Sequence, residues 1–128
     1  MRTWSAVTLA MLAGVAIGAA AVEQLHAQAT PPAYVISEIE LTNADAYAKE
    51  YVPLAQKALR DSGQKVLASG GRTASLSGEP PRARVVVSMF DNLDKARAAY
   101  TSPEYLAARK VGDQYGRLRI FAVEGVAQ

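Results

Sequence analysis

Cysteine is missing from this 128-residue chain, and histidine and tryptophan occur once each, as His26 and Trp4. No disulfide can form, so the fold must stand on its core. Both rare residues lie in an N-terminal segment that reads as removable. The remaining domain then offers no Cys/His zinc site, no histidine-ligated haem, no Ser-His triad and no cysteine nucleophile. Charge of one sign is lacking as well: 14 Lys/Arg stand against 12 Asp/Glu, with no basic run or stripe. Nucleic acid is therefore not an expected partner. Asp91, Asp94 and Asp113 are too scattered for a calcium loop, and Gly70-Gly71 lacks the spacing of a phosphate loop. No metal and no cofactor are expected.

The N-terminus carries the clearest address. Met1-Arg2-Thr3-Trp4 is basic, Val7 to Val22 runs without a charge, and Ala27-Gln28-Ala29 follows with small residues where a signal peptidase reads. That order predicts a secretory signal over residues 1–29 and a folded domain over 30–128. The apolar run is short of the roughly 20 residues a membrane span needs. Periplasmic or secreted localisation follows, with no stable membrane insertion after cleavage. The alternative is an uncleaved anchor, with Gly14 and Gly18 as a helix-pairing face. Arg2 and Glu23 leave together on cleavage, so the formal balance of +2 is unchanged.

Within the domain, Thr30-Pro31-Pro32 reads as a stiff linker and Ala33 to Leu41 as a strand. Asn43 suits a helix N-cap. Ala44, Tyr47, Ala48, Tyr51, Val52, Ala55, Ala58 and Leu59 then repeat at three and four. Pro53 should kink or restart that helix, because it lacks an amide proton. Gly63 should end it. Gln64–Ser69 and Arg72–Ser77 read as an interrupted strand with a bulge or bend at Gly70-Gly71, and Gly78 to Pro81 as a turn. Arg84 to Phe90 is a strand. Asn92 caps a helix carrying Leu93, Ala96, Ala99 and Tyr100. Ser102-Pro103-Glu104 starts another that presents Tyr105, Ala108, Val111 and Tyr115, with Gly116 closing it. Arg117 to Val123 is the last strand.

The order β-α-β-β-α-β defines an α+β, ferredoxin-like architecture: one antiparallel sheet with its helices on one face. Val85-Val86-Val87 and Ile120-Phe121-Ala122-Val123 are apolar on both parities, the pattern of strands covered on both sides. No helix remains for the second face, so a second copy of the chain is expected there, a homodimer. The stretch from Ala33 to about Gly125 resembles the family called domain of unknown function 1330, small dimeric α/β-barrel proteins. The resemblance rests on Tyr34-Val35-Ile36, Tyr47 with Tyr51, Gly70-Gly71-Arg72, Gly78-Glu79-Pro80, Arg84-Val85-Val86-Val87 and Ser102-Pro103-Glu104-Tyr105 with Ala108-Arg109. It implies the fold and the dimer, and no reaction.

Alternation places Val35, Ile39 and Leu41 on the helix side, with Tyr34, Ile36 and Glu38 opposite. On the next central strand it assigns Val85, Val87 and Met89 to the helices, leaving Arg84, Val86, Ser88 and Phe90. On the last it leaves Arg119, Phe121 and Val123. A pocket at the sheet and dimer interface would then gather Tyr34, Glu38, Arg84, Ser88 and Arg119 among apolar walls, with Tyr105 at its mouth. Arg84 and Arg119 suit a carboxylate or enolate, and Glu38 suits a base. The expected function is binding of a small anionic or aromatic molecule, with or without cofactor-free isomerase or monooxygenase-like chemistry. The alternative is a non-catalytic dimeric periplasmic accessory or ligand carrier, in which Glu38 simply pairs with an arginine across strands. Tyr47 and Tyr51 read as core or rim aromatics.

Overall fold

The computed structural model describes residues 30–127. The signal and anchor readings concern residues 1–29 and lie outside the described residues. Strand β1 (Ala33–Leu41) leads into α1 (Ala44–Ala46), a π-helical turn (Tyr47–Tyr51) and α2 (Val52–Asp61). Then come β2 (Lys65–Ser69), β3 (Arg84–Phe90), α3 (Leu93–Tyr100), α4 (Pro103–Gly112) and β4 (Gly116–Glu124). Among the described residues no helix is long and apolar enough to cross a membrane.

The sheet is antiparallel with order β2-β3-β1-β4, so each helical crossover straddles one strand. The α+β, ferredoxin-like architecture is the one the element order predicts. Local chemistry explains the boundaries. The side chains of Asn43, Asn92 and Ser102 each accept a hydrogen bond from the amide three residues on, which satisfies a donor the helix leaves orphaned. Pro53 falls in the first turn of α2. The chain restarts there through the wider turn, in which the Val52 amide donates to the Tyr47 carbonyl five residues back.

One core fills the space between helices and sheet. Val35 and Ile39 of β1, Phe90 of β3, Ala55, Ala58 and Leu59 of α2, Ala96 and Ala99 of α3, and Tyr105 and Ala108 of α4 are all buried in it. Burying a side chain such as Phe90 or Val35 contributes about 1.5–3 kcal/mol. Small alanines on the helices let them approach the sheet closely. Arg109 fastens α4 to β4, its guanidinium donating to the Leu118 carbonyl at 3.1 Å.

Four sequence expectations are corrected. Arg72–Ser77 forms no strand: β3 already pairs with β1 and β2, so the segment has no sheet partner, and Leu76 stands in solvent. The register shift of β2 falls between Val66 and Ala68 rather than at the glycine pair. Gly116 begins β4 instead of closing the preceding helix, which ends at Gly112. The largest correction concerns β3. Ser88 is opposite Val35, and Arg84 is opposite Ile39. Arg84, Val86, Ser88 and Phe90 therefore face the helices, and Val85, Val87 and Met89 face away. A run apolar on both parities gives alternation nothing to read, and one residue of slip inverts every side chain.

Candidate functional site

The corrected register divides the expected site residues between the two faces. Tyr34, Glu38 and Arg119 lie on the open face, the side turned from the helices, with Ile36, Phe121 and Val123. Glu38 and Arg119 sit opposite each other on adjacent strands and form an ion pair at 2.6 Å, with Arg119 stacked over Phe121 at 5.2 Å. Glu38 is the more sheltered partner, its side chain 15% exposed against 63% for Arg119.

Arg84 and Ser88 are brought to the helix side instead. Ser88 is 1% exposed, set into the core. Tyr105 is buried between the helices, its hydroxyl 3.4 Å from that of Tyr51 and its ring against Tyr100. Tyr34, Glu38 and Arg119 thus share one surface, while Arg84, Ser88 and Tyr105 belong to the opposite side of the sheet.

The helix side holds a cavity of about 90 Å³ beneath the π-helical turn and α2. Its apolar walls come from Ile39, Val52, Leu59, Val86, Leu118 and Ile120. Its polar lining comes from Ser37, Tyr47, Tyr51, Gln56, Gln64, Ser69, Tyr100 and Arg84. No carboxylate and no histidine contributes to that lining. The wide turn brings Tyr47 and Tyr51, ring centroids 4.8 Å apart, to the same wall.

Arg84 is the unusual member. Its guanidinium donates to the Ser69 hydroxyl at 3.3 Å and lies across Gly70, where any Cβ would collide with it. Gly70 adopts φ +67°, a conformation that suits glycine, and its amide donates to the Val85 carbonyl at 3.0 Å. The bend is what favours glycine here, and a Cβ would in addition push the guanidinium aside. The Nε of Arg84 is buried with no hydrogen-bond partner, and no ion pair among the described residues includes Arg84. A guanidinium keeps its charge at any physiological pH, and a buried donor left unmade costs roughly 1–3 kcal/mol.

The phenols around it stay protonated. Burial pushes Tyr47 up to about 12, against the opposing pull of Arg84. Burial likewise raises Tyr100 to about 12, partly offset by Ser88, Ser37 and Gln64. Tyr51 is raised further, by burial first and by Tyr105 second. The cavity therefore presents one permanent cation and several neutral hydroxyl donors. Strand parity hides it, because alternation alone puts Arg84 on the other face. The spacing of Tyr47 and Tyr51 ahead of Pro53 is the signal that points to it.

A 2-3-1-4 antiparallel sheet with both crossovers on one face, hollow beneath the π-helical turn and α2, is a ferredoxin-like α+β domain. The chain belongs to the family Domain of unknown function (DUF1330), whose sequence profile matches residues 32–126. No curated protein sequence matches it. Among solved structures it is similar to a protein of unknown function from Rhodopseudomonas palustris, with TM-score 0.61 and 18% identity over 77% of this chain and 85% of that one. It is also similar to SnoaB, a cofactor-independent oxygenase from Streptomyces nogalater, with TM-score 0.56 and 9% identity over 77% of this chain and 97% of that one. A conserved protein of unknown function from Bacteroides thetaiotaomicron aligns with TM-score 0.52 and 10% identity, over 76% of this chain and 100% of that one. At such identities the likeness is one of fold alone.

Proposed function

We propose that this protein is an exported, homodimeric binding module that holds the anionic group of a small molecule in the cavity beneath α2. The carrying observation is the buried, unpartnered Nε of Arg84 in a lining without any carboxylate. A carboxylate, enolate or phenolate would accept from the Arg84 guanidinium and from the nearby hydroxyls, and charge-assisted bonds of that kind are the strong ones. Binding is favoured over turnover because the lining holds donors and no group poised to take a proton near neutral pH. Glu38, the sequence candidate for a base, lies on the opposite face of the sheet and is already paired with Arg119.

Export is supported by the basic start, apolar run and Ala27-Gln28-Ala29 exit of the N-terminus. Dimerisation is supported by the apolar open face, where Phe121 and Val123 are 43% and 51% exposed. The binding reading is tested by titrating acetate and benzoate into the purified chain, followed by amide chemical shifts. Weak, roughly millimolar binding is expected for so few atoms. Arg84→Gln should lower the affinity about tenfold or more. Equal affinity in the variant would remove the basis of the proposal.

A further inference from the structure

The cavity at Arg84 is small. At about 90 Å³ it has room for an acid group and little more. Ordinary ligand pockets begin at about 300 Å³. A second hollow of about 300 Å³ lies along α3 and the edge strand β4, lined by Val35, Leu93, Ala96, Phe121, Ala122 and, as its one charged residue, Arg97. Tyr100 and Ile120 line both hollows. The partition therefore includes two side chains, each half-buried, one of them on the edge strand β4. Both side chains have alternative staggered rotamers open to them.

We infer that the two hollows are the head and tail compartments of one site, and that its ligand is an amphiphilic monocarboxylate with an alkyl tail. The inference rests on the binding reading given above. The acid group meets Arg84 and the phenol hydroxyls. The tail passes Tyr100 and Ile120 and lies on the apolar surface between α3 and β4. Ala122 belongs to this floor: it stands opposite the buried Val35, facing the helices, yet remains exposed.

The experiment is a calorimetric series with sodium acetate, butyrate, hexanoate and octanoate on the full purified chain. Affinity should rise about threefold to fourfold per methylene until the second hollow is filled. Octanoate, unlike acetate, should shift the amide resonances of Leu93 and Ala96. Ala122→Leu, which fills the floor, should flatten the series toward the acetate value, with circular dichroism checking that the variant folds. A flat series with Arg84-dependent acetate binding would overturn the tail compartment and leave the head cavity standing. Absence of binding at every chain length would overturn both. Octanoate binding lost in Arg97→Gln and kept in Arg84→Gln would put the acid at the wrong end, and the inference would fail.

Discussion

Tyr47, Tyr51 and Tyr100 surround a guanidinium, yet burial outweighs its charge and keeps all three protonated well above the usual phenol range. The sign of the consequence is fixed. A phenol holding its proton more tightly in the folded state stabilises the fold fully below the unfolded value of about 10. That contribution is lost as pH rises toward the folded value of about 12. Stability measured by urea unfolding should therefore fall steeply between pH 10 and 12. Replacing Tyr47 and Tyr100 by phenylalanine should flatten the slope. A slope unaltered by both changes would show that other groups drive alkaline unfolding. The same desolvated surroundings make Arg84 matter: a charge left without a counter-charge in half-buried space calls for an anion.

Element boundaries were legible because short-range chemistry sets them. Asn43, Asn92 and Ser102 cap their helices in the way their positions suggest, and Gly63 follows α2 with φ +94°. Ser102→Ala removes an acceptor from the Tyr105 amide at 3.2 Å. It should lower unfolding stability by about 1 kcal/mol in chemical denaturation, while Glu104→Ala, which takes part in no hydrogen bond or ion pair among the described residues, should cost much less. Non-local choices were not legible. Thr73 to Leu76 alternates like a strand, but strand identity needs a partner, and both sides of β3 are occupied. The three valines at 85–87 fit either face equally, and only the pairing of Ser88 with Val35 and of Phe90 with Ala33 decides between them. Since Arg84 shares that parity, the location of the cavity was hidden with it.

At the scale of the molecule, the open face is the feature that the helices cannot explain. Ile36, Val85, Val87, Met89, Phe121 and Val123 lie on three adjacent strands, and among the described residues none of them belongs to the core under the helices. The sequence did reveal this face, since strands apolar on both parities need cover on both sides, and Tyr34, Ile36, Arg119 and Phe121 lie on the side expected of them. Sedimentation equilibrium should give twice the mass of one chain, and a double change of Ile36 and Val87 to lysine should halve it while circular dichroism stays native. A wild-type protein that sediments as a single subunit at high micromolar concentration would contradict the homodimer. The Glu38–Arg119 pair should matter little to that mass, because its Arg119 end is open to solvent and such ion pairs contribute little.

The widened turn from Tyr47 to Tyr51 has an evolutionary corollary. Its ladder reaches back five residues where a regular helix reaches back four. Excision of a single codon within it would restore the ordinary winding and swing Tyr47 by about 100° relative to α2. A one-residue difference in length, the smallest in-frame step open to a lineage, thus separates the turn that sets Tyr47 and Tyr51 on one cavity wall from an ordinary helical turn.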